Sequence, residues 1–195
     1  MSCSYHDRLP ELRQTLLDLL CTEAYKEGDF TLSSGQKSTY YINGKLVTLH
    51  PDGGKLVGQM LLPMISAETV AVAGLTLGAD PIVSAVNVVA AYEGRSLTAL
   101  IVRKEAKGHG TKVYIEGPPL PPDSPVIVLE DVVTTGSSAM KAVERLRDAG
   151  YRVNQVISLV DRQQGGAEFY QKQGIDFQAV YTIADLQARW QDLKP

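Results

Sequence analysis

Apolar residues follow two kinds of pattern along this chain. Near the N-terminus they recur at helical spacing: Leu12, Leu16, Leu19, Leu20 and Ala24 line one side of PELRQTLLDLLCTEAY, which predicts an amphipathic helix. From Val70 onward they come in short, bounded, valine-rich runs: VAVAG, LTALIVR, VIVLE, VNQVISLVD and FQAVYT. Runs of that kind suit strands covered on both faces. Helical segments with their own start and stop signals lie between them. DPIVSAVNVVAAY opens on Asp80-Pro81, SSAMKAVERLRDAG closes on Gly150, GGAEFYQKQG is a further short helix, and TIADLQARWQDL places Thr182 and Asp185 at capping-box spacing. Regular alternation of strand and helix predicts an α/β fold with a mostly parallel sheet flanked by helices. In such sheets ligands sit beyond the carboxyl ends of the strands, so each loop that follows a strand is a candidate site.

Upstream of that alternation, FTLSSGQKSTYYIN reads as two short strands joined by a Ser-Ser-Gly turn. PDGGKLVGQMLLPMIS starts a helix at Pro51-Asp52, and Pro63 is expected to shorten its far end. The length of 195 residues predicts one domain over 1–195, with a small N-terminal hood over 1–50 and an α/β core over 51–195. No internal repeat is visible. The proline cluster EGPPLPPDSP, Glu116 to Pro125, is too short for a domain linker and reads as a stiff connector.

Composition narrows the picture only a little. Apolar residues make up 44% and charged ones 21%, as in ordinary globular proteins. A net charge of -3 leaves no basic footprint for nucleic acid. The N-terminal residues lack the pattern of a secretory signal and no long uncharged apolar run occurs, so a cytoplasmic location is expected. Cys3 and Cys21 fit neither zinc spacing nor a CxxC pair.

Chemistry concentrates in two stretches. VIVLEDVVTTGSS, Val126 to Ser138, runs as a buried strand into two adjacent carboxylates, Glu130 and Asp131, and then into Thr134, Thr135, Gly136, Ser137 and Ser138 ahead of a helix. Side-by-side acids are costly to place at a strand end, while hydroxyls leading into a helix N-terminus form a nest for an anion. A sugar phosphate presents partners for both. RKEAKGHGTK packs Arg103, Lys104, Lys107, His109 and Lys112 into one loop with Gly108 and Gly110, as a closing lid over a polyphosphate would need. A solvated lysine-rich loop would look the same in isolation.

Together these stretches resemble the type I phosphoribosyltransferases. In that family the acid pair holds the ribose hydroxyls of 5-phosphoribosyl 1-diphosphate and the following turn wraps the 5-phosphate. RKEAKGHG is similar to the flexible catalytic loop of the orotate-using branch, here spanning 103–115. FTLSSGQKSTYYIN is similar to that branch's N-terminal floor for the pyrimidine, and SLVDRQQGG to the motif whose arginine meets the substrate carboxylate. The resemblance implies transfer of the phosphoribosyl group to orotate, giving orotidine 5'-monophosphate and diphosphate in de novo UMP (pyrimidine) synthesis. It implies catalytic roles for Lys107, His109 and Asp131. The sugar donor would be held by Arg103, Lys104, Lys107, His109, Glu130, Asp131 and the backbone from Val132 and Val133 through Ser138. Thr134, Arg162, Tyr41 and Ile42 would meet orotate.

Magnesium is implied as cofactor, held through the diphosphate and ribose hydroxyls rather than by protein ligands. A homodimer with shared active sites is implied as well. A guanidinium fork at Arg162 suits a planar carboxylate, with an ion pair to neighbouring Asp161 as the alternative use for it. Two cations of some relatives are absent: Ser33 stands where they carry lysine, and Leu75-Thr76-Leu77 where they have a Tyr-Lys pair. The loop from Gly74 to Asp80 is therefore read as meeting the diphosphate through backbone groups. Three rival readings remain at this point: a purine or xanthine phosphoribosyltransferase, a regulator that binds the sugar donor without catalysis, and a dinucleotide- or methyl-donor-binding domain, which lacks a GxGxxG.

Overall fold

The computed structural model describes residues 8–31, 37–106 and 114–194. Helix α1 (Leu9–Leu19) continues through a wider π turn, Leu20–Ala24, into an antiparallel hairpin of β1 (Tyr25–Thr31) and β2 (Lys37–Ile42). Short α2 (Lys45–Thr48) and α3 (Pro51–Leu61) follow. As the sequence predicts, Pro51 occupies the first turn of α3, and His50 Nδ1 accepts from the Asp52 amide at 3.3 Å. Pro63 can neither donate nor tolerate a continuing α-helix, so α3 stops at Leu61 and a 3-10 turn, Leu62–Met64, takes over.

The rest alternates: β3 (Ala71–Leu75), α4 (Asp80–Tyr92), β4 (Thr98–Val102), β5 (Ile115–Glu116), β6 (Val126–Val133), α5 (Ser137–Asp148), β7 (Gln155–Asp161), α6 (Gly166–Lys172), β8 (Asp176–Thr182) and α7 (Ile183–Leu193). The sheet order is β5-β4-β3-β6-β7-β8, and every pairing is parallel except that of β5 with β4. The expected α/β class with a mostly parallel sheet is thus present. Elements α2 and β5 had no sequence signal, because four and two residues are too few to show a period. The punctuation was legible: Gly150 ends α5 in the left-handed region at φ 87°, and Thr182 and Asp185 form the reciprocal capping box of α7.

Side chains along β6 alternate between the two faces of the sheet. Ile127 and Leu129 join Leu16, Leu20, Leu61, Val86 and Leu186 on one side, while Val126 and Val128 join Val143, Leu146 and Tyr170 on the other. Helix α1 of the hood belongs to the first of these clusters. The hairpin is fastened from α7: Trp190 packs edge-on against Tyr25 at 5.6 Å, and Lys194 pairs with Glu27 at 2.9 Å.

One register detail corrects the sequence reading. Glu130 and Asp131 do not end their strand, since Val132 and Val133 continue β6 in register with Val160 and Asp161 of β7. Pairing with β3 stops earlier, at Val128. The acids therefore lie on a stretch of β6 that has outrun β3. From β3 the chain moves outward to β4 and β5 and then crosses back to β6 on the other side of β3. Loops after β3 and β6 diverge at such a reversal and leave a crevice at the carboxyl ends of the strands.

Candidate active site

Glu130 is buried, and its Oε2 has no hydrogen-bond partner among the described residues. Burial, and then the neighbouring Asp131 charge, push its carboxyl well above the usual range, while the Lys104 ammonium pulls it back. Asp131 faces the crevice half-buried, and its Oδ1 accepts from the Val132 amide at 2.9 Å. Two glycines make room for it. A Cβ on Gly78, in the loop after β3, would lie 2.8 Å from Asp131 Oδ1, and one on Gly44 would lie 3.2 Å from Asp131 Cβ. Three segments distant in sequence therefore meet at one carboxylate.

Beyond Val133 the backbone turns through Thr134, Thr135 and Gly136 into α5. Gly136 adopts φ 85°, and no side chain among the described residues caps the helix, which leaves the first amides of α5 for a ligand. Glu130, Val132 to Ala139 and Tyr170 line a cavity of about 70 Å³ around this turn. The turn is held from behind by α6. A Cβ on Gly166 would come within 2.5 Å of Val133 Cγ1, so only glycine admits α6 this close. Uncapped amides at a helix N-terminus beside a hydroxyl-rich turn form a phosphate-sized anion site.

Arg162 is placed next to that turn by its own amide, which donates to the Val133 carbonyl at 2.9 Å. Its side chain is buried and does not pair with Asp161, whose Oδ1 accepts instead from the Gln163 amide at 2.8 Å. Arg162 Nε donates to Tyr40 Oη and Nη2 to Ser38 Oγ, both at 3.2 Å, and its guanidinium carbon stands 4.7 Å from the Tyr40 ring centre. Tyr41 and Ile42, expected to meet orotate, point to opposite faces of β2. Alternation along β2 turns Tyr41 outward, 41% exposed and against Phe30, while Ile42 packs onto the core. Tyr40, not Tyr41, supplies the aromatic wall beside the arginine.

The predicted lid is only partly described, and Ser33, Lys107 and His109 lie outside the described residues. At its start Arg103 is engaged, pairing with Glu116 at 3.1 Å across β4 and β5. Arg145 of α5 donates to the carbonyls of Arg103 and Lys104, and stacks 4.3 Å from the Tyr114 ring centre where the loop rejoins. Lys104 is exposed near Glu130. In the loop after β3, Thr76 donates to Asp80 at 2.7 Å, and Leu77 is 64% exposed where some relatives carry a cation.

A parallel sheet whose reversal point is flanked by an acid pair and a phosphate-sized turn defines the class: the fold is that of the type I phosphoribosyltransferases. A solved orotate phosphoribosyltransferase from Mycobacterium tuberculosis H37Rv, in complex with 5-phospho-alpha-D-ribosyl 1-diphosphate, matches with a TM-score of 0.75 at 34% identity over 90% of this chain and 99% of that one. Residues 75–187 match the family model described as uracil phosphoribosyltransferase. Curated orotate phosphoribosyltransferases of Nostoc sp. and Synechocystis sp. are 71% and 69% identical, covering 93% and 92% of this chain and 88% and 90% of theirs. The chain belongs to the orotate phosphoribosyltransferase family.

Proposed function

We infer that this protein transfers the phosphoribosyl group of 5-phosphoribosyl 1-diphosphate to orotate, forming orotidine 5'-monophosphate and diphosphate for UMP synthesis. The observation that carries the choice of base is Arg162, a buried guanidinium fork one residue past β7 and backed onto the phosphate turn. A purine has no carboxylate to neutralise it, and a buried cation without a counter-charge is costly. Names of the relatives support the same base. The uracil family model begins at residue 75 and so leaves the hood hairpin out of its match.

Chemistry follows from the charge that must develop. As the bond from the anomeric carbon to diphosphate lengthens, the sugar becomes positive and the leaving group negative. Glu130 and Asp131 hold the ribose hydroxyls, and Asp131 lends negative potential to the sugar; Glu130 Oε2, without a partner among the described residues, is a ready acceptor for one of the hydroxyls. Amides and hydroxyls from Thr134 to Ser138 hold the 5-phosphate. Lys104 is a cation suited to the leaving group, and the same role is proposed for Lys107 and His109, which lie outside the described residues. Orotate is already an anion, so no strong general base is needed.

Magnesium fits these residues as a companion of the diphosphate. Asp80 Oδ1 and Glu130 Oε2 are hard oxygen donors without partners among the described residues, the kind of group such an ion takes. When bound it would neutralise charge on the leaving diphosphate. A homodimer, with the cationic loop of one chain reaching the partner's site, and a cytoplasmic location complete the proposal; among the described residues no helix is long and apolar enough to cross a membrane. The test is a base panel of orotate, uracil, hypoxanthine, guanine and xanthine with the sugar donor and magnesium. Diphosphate release with orotate alone is expected; release with uracil or a purine overturns the choice of base, and binding of the donor without release for any base favours a sensor.

A further inference from the structure

Arg162 can recognise a carboxylate only if its fork is aimed, and the residues that aim it come from the hood. The Tyr40 hydroxyl accepts from Nε and the Ser38 hydroxyl from Nη2, so the side edge of the guanidinium is taken. The end edge, Nη1 with the second hydrogen of Nη2, has no partner among the described residues. That edge is the one that binds a carboxylate with two parallel hydrogen bonds.

Tyr40 is itself immobilised. Its ring stacks on Tyr25 at 6.0 Å, and Tyr25 is held edge-on by Trp190 at 5.6 Å. Its hydroxyl also accepts from Gln164 Nε2 at 3.4 Å. Ser38 donates to the Tyr40 carbonyl at 2.7 Å, which locks the two hood hydroxyls into one unit. The guanidinium lies over the Tyr40 face, where the ring quadrupole attracts it without consuming a donor. None of these hood residues falls within the span that matches the uracil family model.

We propose that Tyr40, seconded by Ser38, is a positioning residue that presents the free edge of Arg162 to the substrate carboxylate and so sets the preference for a carboxylated pyrimidine. The inference rests on the reading of Arg162 given above. Three variants separate the two: Arg162→Ala, Tyr40→Phe and the double variant, with Ser38→Ala as a second probe should Tyr40→Phe fold poorly.

Tyr40→Phe keeps the ring and removes the hydroxyl that accepts from a charged group. It should raise KM for orotate about ten-fold, leave KM for the sugar donor within about two-fold, and add nothing to Arg162→Ala. Ser38→Ala should move the same constant in the same direction by a smaller factor. Equal rises in both KM values, or an effect of Tyr40→Phe that persists in the Arg162→Ala background, would assign Tyr40 to scaffold and overturn the inference. An unchanged orotate KM in Arg162→Ala alone would sink the carboxylate reading and this inference with it.

Discussion

The Tyr170 hydroxyl donates to the Gly136 carbonyl at 3.0 Å, which ties the buried face of α6 to the pivot of the phosphate turn. Gly136 sits in the left-handed region, and a Cβ there would lie 2.9 Å from both Tyr170 Cζ and Phe169 Cδ1. Side chain and backbone thus constrain the same residue from two directions. Gly136→Ala should cost about 2 kcal/mol from overpacking and left-handed strain together, read as a lower urea midpoint. It should also raise KM for the sugar donor. An unchanged midpoint would show that the two rings yield without cost.

Glu130 makes the stability of the ligand-free protein depend on pH. Its folded-state pKa lies well above the ordinary value because of burial and the Asp131 charge. Its contribution is fully present below the unfolded pKa of about 4.3 and is lost as pH rises toward the folded value. Glu130→Gln removes that dependence. Wild-type Tm should fall more steeply than that of Glu130→Gln between pH 5 and pH 8, and parallel curves would contradict a raised pKa.

Gly78→Ala tests the crowding at Asp131. The new methyl would press on Asp131 Oδ1 from 2.8 Å while the rest of the loop stays in place. Displacing one carboxylate oxygen should reduce kcat/KM for the sugar donor by ten-fold or more, corresponding to at least about 1.4 kcal/mol. Tm should change little, because the three nearest atoms all belong to one half-buried side chain, that of Asp131. Full activity would mean that Asp131 retains its place by rotating.

Magnesium should act with the diphosphate and not by itself. Chelation is expected to abolish turnover and added magnesium to restore it. Titration of magnesium into the protein without sugar donor should show no tight binding by calorimetry, since the described residues hold no cluster of three metal-binding side chains. Tight binding to the protein alone would require a protein-borne site.

Much of the site was legible because its parts are local. The acid pair, the hydroxyl-rich turn and Arg162 each stand within a few residues of the strand that places them. The supporting residues were not, because they act across long stretches of chain: Tyr40 meets Arg162 from 122 positions away, and Gly44 and Gly78 gain meaning only beside Asp131. The part played by Tyr40 was hidden for a different reason. Side chains alternate along a strand, so a displacement of one position exchanges the buried face for the exposed one, and neighbouring tyrosines offer no sign of which is which. The extension of β6 past the acids was hidden similarly, since two carboxylates in succession read as the end of a buried run. Only pairing of Val132 and Val133 with β7 overrules that reading.

The return of the chain from β4 and β5 to β6 on the far side of β3 also bears on how the protein acquires its activity. The crevice exists only once β3 and β6 lie side by side, and that contact closes the long connection through β4 and the cationic loop. Pairings so distant in sequence are slow to form. During refolding, binding of the sugar donor should therefore arise only with the β3–β6 pairing, after the local helices have formed, so that the emergence of ligand binding reports on completion of the central sheet.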